Sequence, residues 1–288
     1  MAVKFFGQYL VEQCIVTSND LLDAINLQDK HNLKLGEIAL AMGLISSADV
    51  QRAHNAQISK DLKLGDLLVE MGFLTIVQLE DIITRQKNTH LYIGEALLQV
   101  GALSQDNLQK HLDAFKADQD QYLSDSVELP VASVNSLLWE ITADLTYKMI
   151  TRVLGLPFRT GACIQKSVIS PNFLLVGMDM SGDVEARYMI SVSEGLQKSI
   201  ARAILREESV EEESTEVLED TVMEFVNIVC GNVAAKASQM GVIMDINPPV
   251  VIHQLLDGLP VPEEQTALCF PIYIGDGEIM EMILLITE

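Results

Sequence analysis

Two polar side chains three residues apart, Glu224 and Asn227, lie in a stretch whose apolar residues recur at helical spacing. Leu218, Val222, Phe225, Val226, Val229 and Val233 mark one face of a helix expected over about 215–239. At about 100° per residue, Asp220, Glu224, Asn227 and Gly231 fall within an arc of about 60° on the opposite face. A carboxylate and a carboxamide at i and i+3 point the same way. A glycine one turn further on costs a helix about 1 kcal/mol against alanine, which makes sense where another surface must come close. As a pattern alone, an acid and an amide on a solvated face need no further explanation.

Other kinds of chemistry leave weaker marks. Cys14, Cys163, Cys230 and Cys269 lie far apart, with neither CxxC nor any Cys/His metal spacing, and the five histidines form no ligand pattern. No metal site is expected, and the cysteines read as thiols in a reducing cytoplasm. The opening Met1-Ala2-Val3-Lys4-Phe5-Phe6 lacks the apolar core of a secretory signal, and no stretch reaches the ~20 apolar residues of a membrane helix. A cytoplasmic protein without membrane insertion is therefore expected. Acidic residues number 41 against 19 basic in 288, a formal net charge of −22. That argues against a DNA- or RNA-binding surface, which neutralises phosphates with Lys and Arg. Residues 1–120 carry 10 basic and 16 acidic side chains, leaving 9 and 25 for residues 121–288. The net charges of −6 and −16, with the length, suggest two domains.

The elements that must position the Glu224 stripe begin with a helix over about 132–153, with Val134, Leu137, Leu138, Ile141 and Leu145 on one face. Strands are expected at Gly161–Ser170, Phe173–Met180 and Ala186–Val192, then a helix over about 194–206. The acidic run 206–216 reads as a solvated connection. After the stripe helix come strands near 249–254, 266–274 and 278–286. The whole is an α+β pattern with an antiparallel sheet.

The first 115 residues repeat every 29. Gly7, Gly36, Gly65 and Gly94 form one column, and Cys14, Gly43, Gly72 and Gly101 a second. Thr17, Ser46, Thr75 and Ser104 form a third, Leu21, Val50, Leu79 and Leu108 a fourth, and Gln28, Gln57, Gln86 and Phe115 a fifth. Each copy reads as a short helix, a turn at a left-handed C′ residue and a longer helix behind a Ser/Thr cap. No copy can bury its own stripe, so the four are expected to stack into one helical domain. The expected domains are 1–117, a linker at 118–131, and 132–288.

These repeats resemble the MshEN family, whose motif reads RLGxxLxxxGxxxxxxLxxxLxxQ and whose members bind cyclic di-GMP. The resemblance places a nucleotide site at copies two and three, on Lys34, Leu35, Gly36, Gly43 and Gln57 with Lys63, Leu64, Gly65, Gly72 and Gln86. It implies that the Leu-Gly backbones lie against the ligand and that the motif-initial cation stacks on guanine. The motif's Arg is Lys in copies two and three, Phe5 in copy one and Tyr92 in copy four, and Ala39 and His54 replace motif leucines, so a helical interaction domain that has kept the fold and lost the nucleotide is the alternative reading.

Glu224-Phe-Val-Asn227-Ile-Val-Cys-Gly231-Asn232, with Gly241 and Ile246-Asn-Pro248-Pro249-Val250-Val251 downstream, resembles the CheX/CheC family of chemotaxis phosphatases. In the first long helix Glu140 is followed three residues on by Ala143, so only one such motif is present. The resemblance implies dephosphorylation of the aspartyl phosphate on a CheY-like response-regulator receiver, with Glu224 and Asn227 as the working pair. Asn232 is expected to support the helix. The protein needs no cofactor of its own, because the Mg²⁺ would belong to the receiver, and the family implies a homodimer. A non-catalytic module that binds the receiver is the alternative reading.

Overall fold

The computed structural model describes residues 5–60, 62–119, 129–130, 134–252, 258–275 and 277–287. The chain divides into two compact units, Met1–Gln121 and Tyr122–Glu288. The expected linker at 118–131 lies largely outside the described residues.

The first unit is helical: α1 (Phe6–Glu12), α2 (Ser18–His31), α3 (Leu35–Ala41), α4 (Ser47–Ser59), α5 (Leu64–Glu70), α6 (Ile76–Thr89), α7 (Ile93–Gln99) and α8 (Gln105–Gln119). Each repeat is a seven-residue helix followed by one about twice as long, and the repeat columns supply the reasons. Thr17, Ser46 and Thr75 each accept from the backbone N–H three residues on, while Asp20, Asp49 and Gln78 reach back to the cap N–H. Those reciprocal bonds satisfy donors that a helix start leaves open. Gly43, Gly72 and Gly101 turn the chain with φ of 68°, 75° and 76°. Cys14 does the same job at φ 54° with a side chain attached.

The first glycine column has a packing role. A Cβ on Gly65 would lie 2.5 Å from Leu79 Cδ1, and one on Gly94 2.7 Å from Leu108 Cδ1. The short helix thus sits closely against the long helix of the same repeat, most tightly at Gly7, Gly65 and Gly94, where a Cβ would force the leucine methyl to shift. The four repeats do not share one core. Phe6, Tyr9, Leu10, Ala24, Ala96, Leu97, Leu108 and Phe115 cluster copies one and four. Ile38, Ala39, Ala53, Leu67, Leu68 and Ile82 cluster copies two and three. The pairing is nested: a consecutive inner pair sits between the two members of an outer pair.

The second unit begins with α9 (Ser136–Met149), continued by a π-helical turn at Ile150–Leu154 that stops at Gly155, φ 66°. Strands β1 (Phe158–Thr160), β2 (Ile164–Lys166), β3 (Val168–Ile169), β4 (Leu174–Gly182) and β5 (Ala186–Val192) follow, then α10 (Glu194–Leu205) and α11 (Thr215–Gln239). Strands β6 (Met244–Ile246), β7 (Val250–Val251), β8 (Leu259–Pro260), β9 (Gln265–Ile274) and β10 (Ile279–Thr287) complete it. The main sheet is antiparallel in the order β1-β9-β10-β5-β4-β6, with β2 also on β9 and β7 also on β4, while β3 and β8 form a ribbon.

Period-two alternation sorts this sheet into two buried faces. Thr146 of α9 hydrogen-bonds the Tyr188 hydroxyl at 3.0 Å and meets Met282 Sδ at 3.1 Å, so the Tyr188 and Met282 side faces the helices. The other side carries Leu175, Met189, Cys269, Ile283 and Leu285, packed with Ile169 and Ala267 beneath Ile252, Leu259 and Val261. Both faces are covered over most of their length, the second opening at the Asp179–Arg187 ion pair, which explains why β4, β5 and β10 read as nearly unbroken apolar runs.

Three expectations need correction. Val134 and Leu137 are exposed, at 99% and 61%. The buried face of α9 is instead Leu138, Trp139, Thr142, Ala143, Leu145, Thr146 and Met149. The signal was masked because Thr142 and Thr146 are polar residues that satisfy their hydroxyls on the carbonyls four residues back, which makes them cheap to bury. The strand expected over Gly161–Ser170 is broken into β2 and β3. The one expected at 249–254 shortens to β7, and residues 253 and 254 lie outside the described residues.

Candidate functional site

Helix α11 is capped by Ser214, whose hydroxyl accepts from the Val217 N–H at 3.3 Å, and it packs Val222, Phe225, Val226, Val229 and Val233 out of solvent completely. That packing fixes the rotation of the helix about its axis. It leaves Asp220, Glu224, Asn227 and Gly231 exposed in one line, as the spacing predicts. Neither Glu224 nor Asn227 has a side-chain hydrogen-bond partner among the described residues. Asn232, one residue past the stripe, is buried, and its carboxamide donates to the Ile228 carbonyl at 2.8 Å. Two asparagines five residues apart therefore do opposite work: one braces the helix and the other is free.

Gly231 differs from the packing glycines of the first unit. A Cβ built on it would meet nothing within 4 Å. Among the described residues no contact accounts for a glycine here. Ala143 of α9 is fully buried, so the first long helix offers no second pair of this kind.

The exposed stripe forms one wall of a groove of about 540 Å³. Asp220, Met223, Glu224 and Asn227 line that wall, and Ile246, Asn247, Pro248 and Pro249 line the other. The second wall is held by β4, which pairs with β6 through Met180 and Ile246 and with β7 through Gly177 and Val250. Sequence reading noted Ile246–Val251 without assigning it a place in the site. The available signal was the Asn-Pro pair, which marks a turn.

The thiols take no part in this arrangement. Burial pushes Cys163 and Cys269 up to about 12, and Cys230 well above its ordinary value, so these three stay protonated at neutral pH. Among the described residues no three His, Cys, Asp or Glu side chains are grouped to hold a metal ion, and no helix is long and apolar enough to cross a membrane.

The residues assigned to nucleotide binding occupy the inner pair of repeats. Lys34 and Lys63 are exposed at the starts of α3 and α5. Leu35 and Leu64 cross over, so that Leu35 Cδ1 lies 3.4 Å from a Cβ on Gly65 and Leu64 Cδ2 lies 3.9 Å from one on Gly36. Gly36 and Gly65 are buried, and Gly43 and Gly72 are exposed at their turns. Gln57 and Gln86 donate to the carbonyls of Leu62 and Leu33, the residues just before the two lysines, at 3.2 and 3.1 Å. Gln28 makes the same bond to Leu91 at 2.9 Å. The glutamine column thus holds the loop that carries the motif-initial residue of the paired repeat.

Comparison with known proteins places the stripe in a family context. Residues 175–273 match the family model described as chemotaxis phosphatase CheX. This stretch holds β4 through most of β9, including all of α11 and both groove walls. Solved structures similar to this chain include a CheX–CheY–BeF3–Mg²⁺ complex from Borrelia burgdorferi, at 24% identity over 52% of this chain and 98% of that one, TM-score 0.46. A chemotaxis protein CheX from Desulfovibrio desulfuricans follows at 17% identity, 52% and 99% coverage and TM-score 0.45. A CheC-like superfamily protein from Shewanella sp. PV-4 shares 17% identity, with 55% and 100% coverage and TM-score 0.46. No curated protein matches the chain. The second unit is thus CheX-like in the region that carries Glu224 and Asn227.

Proposed function

We propose that the second unit hydrolyses the aspartyl phosphate of a CheY-like response-regulator receiver domain. The observation that carries this reading is the free pair Glu224 and Asn227, one turn apart on a packed helix inside the CheX-matched region. Hydrolysis of an acyl phosphate joins a water oxygen to phosphorus and breaks the bond from phosphorus to the aspartyl oxygen. The products are inorganic phosphate and the receiver's free carboxylate. The reaction needs a water held in line with the breaking bond, and positioning of this kind can supply much of the rate. The Asn227 carboxamide accepts from and donates to that water, which places its oxygen opposite the leaving carboxylate. The Glu224 carboxylate forms an ion pair with a cation on the receiver and so sets how far Asn227 enters. The receiver's own Mg²⁺ supplies charge neutralisation at the phosphoryl oxygens. The experiment is phosphate release from a phosphorylated receiver, which wild-type protein accelerates under this reading.

For the first unit we propose a regulatory nucleotide site for cyclic di-GMP on the inner pair of repeats. Lys34 and Lys63 stand exposed at the two adjacent helix starts, and the outer pair offers Phe5 and Tyr92 there instead. Gly36 and Gly65 pack against Val50 and Leu79, most tightly at Gly65, so their lack of a side chain already has a packing role. The ligand would then be gripped mainly by the two lysines and the loops that Gln57 and Gln86 hold.

A further inference from the structure

The second wall of the groove carries a polar side chain of its own, Asn247. Strand β4 pairs up to Ile246 opposite Met180 and resumes at Val250 opposite Gly177. Three residues, Asn247, Pro248 and Pro249, therefore lie opposite two, Met178 and Asp179, and must bulge out of the ladder. The bulge is anchored by the Asn247 N–H, which donates to the Asp179 carbonyl at 3.0 Å. Pro248 and Pro249 have no N–H and fixed φ, so the bulge cannot zip back into the sheet. The Asn247 side chain is exposed and has no hydrogen-bond partner among the described residues. It lines the groove opposite Glu224 and Asn227.

We infer that Asn247 is a docking residue, whose carboxamide hydrogen-bonds the backbone of the receiver segment entering the groove. This rests on the phosphatase reading of the same site and adds which side of the groove reads the partner. A primary carboxamide offers donors and an acceptor at once, the complement of an extended backbone with its alternating N–H and C=O groups. The groove, at about 540 Å³, has room for far more than a single water. Asn247 thus holds the partner, and Asn227 handles the water. The division predicts an effect on KM without one on kcat.

The test uses the full chain and the CheY-like receivers of its source organism, each phosphorylated with acetyl phosphate. Phosphate release is followed against receiver concentration for wild type, Asn247→Ala, Asn247→Asp and Asn227→Ala. Circular dichroism melting checks that each variant folds, as expected for an exposed side chain with no internal partner. The expected result is a KM raised about fivefold in both Asn247 variants, the effect of one lost hydrogen bond, with kcat within twofold of wild type. An active wild type with unchanged kinetics in both Asn247 variants overturns the inference, and so does a fall in kcat at constant KM. A wild type no faster than Asn227→Ala on every receiver overturns the phosphatase reading itself, and the docking role falls with it.

Discussion

At the scale of single residues, the site is defined by side chains that have nothing to do inside the protein. Glu224, Asn227 and Asn247 are exposed and unpartnered among the described residues, whereas Asn232 is buried against the Ile228 carbonyl. Gly231 extends the same contrast. In the interior of a 25-residue helix, a glycine whose missing Cβ would touch nothing loses stability without any internal return. Gly231→Ala should raise the unfolding free energy by about 1 kcal/mol, read by urea denaturation. Gly231→Leu should also fold, because the space is open, and should raise the receiver KM by crowding the surface beside Asn227. A destabilised alanine variant would show that the backbone at 231 needs glycine for its own sake. This part of the site was legible in the sequence, because a helical period fixes which residues share a face. Asn247 was not. Its position depends on a bulge in strand pairing between residues far apart in sequence, and periodicity carries no information about that.

At the scale of elements, the repeat columns turn out to be a set of local devices. The Ser/Thr caps, the left-handed turn glycines and the apolar stripes follow from rules that act over a few residues, so they could be read directly. The stripe that all four copies carry does not itself say which copies share a core, and the nested order is read from the packing. Gln57 and Gln86, which the resemblance assigns to the ligand, and Gln28 in copy one each donate to a loop carbonyl of the paired repeat. Copy one contains the exception that tests the turn column. Cys14 adopts φ 54° where its three counterparts are glycine, in a conformation that costs an L-residue about 1 kcal/mol. Cys14→Gly should raise the melting temperature of the first unit, measured by calorimetry, because the relief of strain exceeds the added freedom of the unfolded chain. An unchanged or lower melting temperature would mean that the thiol makes up the difference. In the second unit the periodicity locates α9 but not its rotation, because Thr142 and Thr146 on its buried face are polar residues.

On the scale of the whole molecule, a unit of paired repeats and a CheX-like unit are joined in one chain. The net charge of −22 leaves room for a single bound nucleotide, because Lys34 and Lys63 act locally at one pair of helix starts. Calorimetric titration of the full chain with cyclic di-GMP should show one site per chain, lost on Lys34→Ala/Lys63→Ala. No heat at high ligand concentration would leave the repeats as a structural or docking unit. The central claim lies in the other unit. The most direct measurement is the rate of phosphate loss from a saturating phosphorylated receiver, with wild type and with Asn227→Ala. Orientation of the attacking water by Asn227 predicts a kcat about 10²-fold lower in the variant, with the receiver still bound. Equal rates for the two proteins would contradict it.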